Sequence, residues 1–273
     1  FCSKVIRGID LAGRAYGVHI LVSGSHGGSD EAAAAIRAMQ GRVDGLLAML
    51  PNVDPDFLAT RLPDSMPVVL MNTPQRESRA ASVVVDNFGG AGALVRHLVD
   101  CGYRRIAFIS GPESNFDARE RLRGFRTALA ALGPEATCEV VGGDFTEESG
   151  YQAGKRIAAM PTRPDAVFAA NDSMAIGCLF ALREAGLNVP ADIGLTGFDD
   201  IPIARFMNPP LTTVRVRIAE LGELALERLV HAIRHPDQRA EPAHVVPCDL
   251  VVRGSCRSST AAADAAEGGR RQE

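Results

Sequence analysis

Short, unbroken apolar runs alternate along the chain with longer stretches whose apolar residues recur at helical spacing. A brief apolar run bounded by turn residues predicts a strand buried on both faces, and an amphipathic stretch predicts a helix packed over it. After an opening helical segment, VHILVSG (18–24) predicts a buried strand, and a helix follows from Ser29 to about Met39 with Ser29 as its N-cap. DGLLAML (44–50), PVVLM (67–71) and SVVVDN (82–87) predict three more strands, the last leading into a helix to Cys101 that stops at Gly102. RRIAFIS (104–110), a helix over 117–131, CEVVGG (138–143) and a helix from about Glu147 to Met160 continue the rhythm. DAVFAA (165–170), a helix over 172–185 ending at Gly186, and DIGLTGF (192–198) complete it.

Such alternation predicts parallel sheets covered on both faces, with right-handed crossovers placing every strand's carboxyl end on one edge. The βα units are too many for one small flavodoxin-like domain and lack the closed eightfold rhythm of a barrel. Two doubly wound α/β lobes are therefore predicted. After Asp199 and Asp200 the rhythm breaks: PPLTTVRV (209–216) is extended, a long helix covers about 217–234, and two short strands (245–253) follow. A late helix outside the alternation predicts that the chain recrosses between lobes. From Ser258 on, the sequence is of low complexity and predicts a disordered tail.

Length and charge narrow the function. A chain of 273 residues, 46% hydrophobic, can bury a full core as one large or two smaller domains. With 29 Lys+Arg against 33 Asp+Glu the net charge is −4, so the chain carries no basic footprint for phosphate neutralisation. Any contact with DNA is expected to come from another segment. The six cysteines are scattered without a C-x-x-C pair, several within apolar runs, which predicts buried free thiols and a reducing cytosol. No apolar run approaches the ~20 residues that cross a bilayer.

Ligands of open α/β sheets bind beyond the carboxyl ends of the strands. Those ends hold Ser23 and Ser25, Asn72, Ser110 with the loop into Arg119 and Arg121, Asn171 with Asp172, and Asp199 with Asp200. They come from both predicted lobes, so one cleft would collect them. Their chemistry is hydrogen bonding: a forked guanidinium, amides, hydroxyls and carboxylates, a set suited to sugars and related polyols. Each also has a plainer reading. Asn171 or Asp172 opens a helix and one of them caps it; Asp199 and Asp200 in GFDDIP are also turn formers. The run Arg119, Arg121, Arg123 and Arg126 reads mostly as solvated helix surface; Arg121 and Arg126 both flank the apolar stripe of Ala118, Leu122, Phe125 and Leu129, and Arg121 is favoured by an expected place in the first turn near the strand end.

Other chemistry fits less well. GGAGA (89–93) opens a helix after a strand but lacks the third glycine of a dinucleotide loop and the lysine of a P-loop, so it reads as close helix packing. SGSHGG (23–28) is not a G-x-S-x-G elbow. His231 and His235 have no third ligand nearby, and neither a metal nor a cofactor is expected. A hydrolase pairing Asp172, Asp199 or Asp200 is the strongest enzyme alternative, but no nucleophile with its base accompanies them. No catalytic residue is predicted.

Taken together, these segments resemble the effector-binding core of LacI/GalR transcription repressors over about residues 1–257. The resemblance rests on FCSKVIRGIDLAGRAYG, VDGLLAM, PVVLMN, VVVDNFGGAGALVRHLVDCGYRRIAFISGP, RERLRGF, FAANDSMAIG, IGLTGFDDIPIA and PPLTTVRV in this order and spacing. It implies a periplasmic-binding-protein-like fold of two lobes joined by three crossovers. One lobe would hold 1–85 plus 218–245, and the other 86–214 plus 246–257, with 258–273 as tail. It implies a small sugar-like effector met by Arg121, Asn171 and Asp199, with Phe198 shaping the pocket and Asn72 and Phe1 as further contacts; Ser25 is an effector-binding candidate from its place at a strand end. Asn72 stands where some relatives carry Asp. The resemblance also implies a cytoplasmic homodimer whose face uses the opening helix, the 29–39 helix and the 217–234 helix. Operator DNA would be contacted through an upstream helix-turn-helix that this sequence does not contain, and the first sheet strand is expected to be missing. A periplasmic sugar-binding protein of a transport system, which shares the fold, is the alternative.

Overall fold

Apart from 18–24, each predicted apolar run becomes a strand, and the residues that flank it set the ends. The computed structural model describes residues 2–24, 28–54, 56–57, 60–63, 66–73, 80–132, 137–238 and 242–258. The candidate residues Phe1 and Ser25, and all but the first residue of the predicted tail, lie outside the described residues. The chain divides into two units, one comprising residues 1–86, 114–117 and 217–247, the other 87–113, 118–216 and 248–273.

In the first unit, helix α1 (Cys2–Tyr16) and helix α2 (Ser29–Met39) precede strands β1 (Leu46–Met49), β2 (Val68–Met71) and β3 (Ala81–Val85). Strand β9 (His244–Val246) completes a wholly parallel sheet of order β1-β2-β3-β9, with Met49 opposite Met71 and Val85 opposite Val246. Its core joins Ala32 and Ile36 of α2 to Ala48, Val68 and Leu70, with Phe57 packed at the edge. Helix α7 (Ile218–Arg234) covers the sheet and packs against α1, whose Val5 and Ile9 are buried.

The second unit contains helix α3 (Asn87–Asp100), strand β4 (Arg105–Ser110), most of helix α4 (Phe116–Ala130), strand β5 (Thr137–Gly142) and helix α5 (Glu147–Ala158). Strand β6 (Ala166–Ala169), helix α6 (Asp172–Glu184), strand β7 (Gly194–Thr196) and a 3-10 turn (Pro202–Phe206) follow. The sheet is again parallel, in the order β5-β4-β6-β7. Strands β8 (Thr213–Val216) and β10 (Cys248–Val251) form a separate antiparallel pair. At the core, Phe108, Phe125 and Phe168 meet with ring centroids 4.8 to 5.9 Å apart, two of the three pairs edge to face. The glycine-rich run behaves as packing: a methyl group at Gly90 would press on Phe198 at 3.0 Å and on Val214 at 3.1 Å. Helices α3 and α6 stop where Gly102 and Gly186 take positive φ, as the sequence predicts.

Two local predictions are corrected. Residues 18–24 form no strand: Leu21 is 60% exposed and Val22 62% exposed, and the segment joins no sheet. An apolar run becomes a buried strand only when its N–H and C=O groups find a ladder, and none of β1, β2, β3 or β9 pairs with it. Ser29 is the first residue of α2 rather than its cap; Gly28 occupies the cap position without a side-chain bond. Of the five cysteines whose side chains are described, all free, Cys101, Cys178 and Cys256 are buried, Cys248 is half-buried, and Cys138 is exposed on β5. No helix of the described residues is long and apolar enough to cross a membrane.

Candidate functional site

The carboxyl edge of the second sheet gathers the charged residues of interest around one guanidinium. Arg121 is the sixth residue of α4, in its second turn, and only 3% exposed. A buried guanidinium needs acceptors in its own plane, and Arg121 has three. Its Nε donates to Asn87 Oδ1 at 2.8 Å, one Nη to the Ala170 carbonyl at 2.6 Å, and the other to Asp199 Oδ1 at 2.9 Å. Asn87 is the first residue of α3, Ala170 follows β6, and Asp199 follows β7, so three strand or helix ends hold one side chain. Beneath it lies Phe198, fully buried, with the guanidinium carbon 3.9 Å from the ring centroid. Phe198 is thus the floor under Arg121.

Asn171 caps α6. Its Oδ1 accepts from the Met174 amide at 2.8 Å, and its Nδ2 donates to the Phe145 carbonyl at 3.0 Å. The helix-capping reading is therefore realised, and the amide also pins the loop after β5. Phe145 in that loop has φ +73° and turns its ring towards Arg121, 5.9 Å from the guanidinium. A methyl group at Gly111 would overlap that ring. Sequence reasoning passed over Phe145 and Asn87. The signal for Phe145 was present: it follows GGD at the carboxyl end of β5, the same edge that supplies the other polar residues.

Asp199 and Asp200 both have positive φ, 104° and 51°, a backbone region rarely taken by residues with a side chain. Their carboxylates diverge. Asp199 bonds Arg121, while Asp200 accepts from Arg215 Nε at 2.7 Å and from an Arg253 Nη at 2.6 Å. Burial opposes ionisation of Asp200, but the bonds from Arg253 and Arg215 outweigh it and hold the carboxyl below the ordinary range. Asp172 is wholly buried; it accepts from the Thr213 hydroxyl at 2.6 Å and from the Ile201 amide at 2.8 Å. Burial, with Asp199 and Asp200 nearby, pushes its pKa up to about 7 despite the Thr213 bond. A methyl group at Gly197 would collide with the Asp172 carboxylate, so this approach needs glycine. With Asp172 turned to Thr213 and Asp200 to two arginines, neither is placed to work with Asp199 as an acid/base pair across a scissile bond. Among the described residues no three His, Cys, Asp or Glu side chains gather to hold a metal ion.

The first unit's carboxyl edge is uncharged at its candidate residue. Asn72 follows β2 with φ +46° and is 1% exposed. Its Oδ1 accepts from the Val85 amide at 3.1 Å and its Nδ2 donates to Asp117 at 3.2 Å. Ser23 is exposed, Ser110 half-buried, and Arg119 exposed with its guanidinium on the Glu113 carbonyl at 3.0 Å.

Comparison with known proteins places this arrangement among regulators. Residues 95–256 match the family model for the periplasmic binding protein-like domain. The ribose operon repressor of Escherichia coli is 35% identical over 259 residues, 93% of this chain and 78% of that protein. The HTH-type transcriptional repressor PurR of Mannheimia succiniciproducens is 35% identical over 218 residues, 79% of this chain and 65% of that protein. Among solved structures, a dimeric lac repressor superimposes with a TM-score of 0.86 at 27% identity, covering 94% of each chain. A LacI family regulator from Enterococcus faecium with bound ribose gives 0.81 at 26% identity, covering 93% of each chain.

Proposed function

This chain belongs to the periplasmic-binding-protein-like effector-binding cores of LacI/GalR-type repressors, and from that premise we propose that it senses a sugar or sugar derivative and dimerises to pass the signal on. Arg121 carries the reading. It is a buried cation clamped by Asn87, Ala170 and Asp199 and floored by Phe198, with two of its five N–H groups beyond those three bonds. Asp199 supplies acceptors for vicinal hydroxyls and Phe145 an apolar ring for a sugar's C–H face. Asn171 holds the Phe145 loop, and Asn72 is an effector contact on the carboxyl edge of its own sheet. The names ribose operon repressor and regulator with bound ribose support the ligand class. The transport reading is not carried forward, because the relatives reported above are named as regulators.

A sensor of this kind works by population shift: the effector switches only what it binds with different affinity in two states. The setting is the reducing cytosol that free buried thiols suit. The dimer face includes α1, where Ile6 and Leu11 are exposed, together with α2 and α7. On the second unit Phe180, Ile203 and Phe206 are 51% to 69% exposed, beside a recess of about 500 Å³ lined in part by Tyr151, Leu179 and Met207.

The test is a thermal-shift and calorimetric panel of pentoses, hexoses, cellobiose and nucleobases. At least one sugar is expected to raise the melting temperature of the native chain and to lose that effect in Arg121→Ala. A panel in which only a nucleobase binds, or in which Arg121→Ala responds like the native chain, refutes the assignment. Sedimentation should give a dimer that Leu11→Asp, on the exposed face of α1, weakens.

A further inference from the structure

The two adjacent aspartates have opposite tasks. The loop 197–201 is sewn to β8: the Gly197 amide donates to the Thr212 carbonyl at 3.1 Å, and the Asp199 amide to the Val214 carbonyl at 2.8 Å. Backbone bridges also pair Thr196 with Thr212 and Asp199 with Arg215. Within that seam only Asp199 turns to Arg121. The Asp200 side chain is 10% exposed and held between Arg215 of β8 and Arg253 just after β10. Arg253 is itself fixed, its amide on Thr212 Oγ1 at 2.9 Å and a guanidinium nitrogen on the Leu211 carbonyl at 2.8 Å. β8 and β10 are also the two segments through which the chain leaves and re-enters the second unit, after Val216 and before Cys248.

We propose that Asp200 is a positioning residue for the effector site: without touching the ligand, it clamps β8 and β10 to the loop that presents Asp199 to Arg121, and so couples ligand occupancy to the order of those two strands. Three observations converge on this. Asp199 and Asp200 take consecutive positive φ values, and the first, at 104°, lies beyond the left-handed region that aspartate tolerates, so bonds from outside the loop help to hold it. Both of those outside bonds are charge-assisted and short, the strong class of hydrogen bond. Both donors sit on, or beside, the same antiparallel pair of strands. The proposal rests on the assignment of Arg121 and Asp199 to the ligand.

The experiment follows amide hydrogen exchange in the full chain, with and without D-ribose, for native protein, Asp200→Asn and Arg215→Gln/Arg253→Gln. In both variants without sugar, the Gly197, Asp199 and Ile201 amides and those of β8 and β10 are expected to exchange about tenfold faster or more. The Ala170 amide, which bonds Ile109 at the inner strands, should keep its native rate. Unchanged rates, or uniform acceleration across the unit, overturn the clamp. In the native chain saturating D-ribose should slow exchange at β8 and β10, and Asp200→Asn should lose that slowing while its affinity for the sugar falls about tenfold. A variant that loses only melting temperature, keeping affinity and ligand-dependent slowing, assigns Asp200 a merely structural role and refutes the coupling. If D-ribose leaves the native chain unaffected, the choice of sugar under the proposed function fails, and the ligand-free rates alone decide this clamp.

Discussion

The two carboxyl edges are built from similar parallel four-stranded sheets, yet they hold their polar residues by different physics. At the first unit's edge, Asn72 is a neutral amide whose partners are a backbone amide and one carboxylate. At the second, Arg121 is a buried cation whose position depends on three partners from separate elements. A neutral amide loses modest hydration on burial and recovers it with two bonds. A guanidinium loses far more and needs a complete set. The second edge is therefore the more selective and the more fragile, while the first is the more forgiving.

The largest effect should come from Arg121→Ala. It removes three bonds of a buried cation, including the ion pair with Asp199, 16% exposed, and is expected to destabilise the second unit by about 3 kcal/mol in urea melts, with ligand affinity lost. Asn72→Ala should do less, about 2 kcal/mol, from loss of the bonds to the Val85 amide and Asp117 and from a residue ill suited to positive φ. Equal losses from the two substitutions would erase the contrast. Asp172→Asn sharpens it through pH. Because the buried carboxyl titrates at about 7, against 3.8 when unfolded, its contribution is complete below pH 4 and is lost as pH rises through 7. The stability gap between native chain and Asp172→Asn should therefore narrow or reverse from pH 5 to pH 8, by up to about 1.4 kcal/mol per pH unit. A gap that stays constant over that range contradicts an elevated pKa. Smallest of all, Leu21→Ser in the exposed 20–22 segment should change stability by less than about 0.5 kcal/mol.

What could be read from the sequence follows the same division of physics. The inner strands of the second unit were legible because their apolar runs are buried: β6 is buried at all four positions, as DAVFAA predicts, whereas the outer strand β5 is exposed over Thr137–Glu139 and was legible from its place in the alternation. VHILVSG has the same composition and failed, because pattern reports what a segment can bury and not whether a neighbour offers a ladder. Arg121, Asn171 and Asp199 were legible from their place at strand and helix ends, and the structure brings them to one edge. Phe145 carried only a positional signal, its place after GGD at the end of β5, and no periodicity pointed to it. The divergence of Asp199 from Asp200 was not legible, since side-chain direction there is set by two left-handed residues that no motif announces.

The three-point tether on Arg121 has a stereochemical consequence. With Nε and both terminal nitrogens committed, the guanidinium plane cannot swivel to follow a guest, and its two remaining N–H vectors are fixed in space. If a sugar is the effector, as proposed above, epimers that differ at a single carbon would be graded by whether an oxygen falls on those vectors. An inverted hydroxyl would leave a desolvated donor empty, a defect that shape alone cannot repair and that a swivelling side chain would have forgiven.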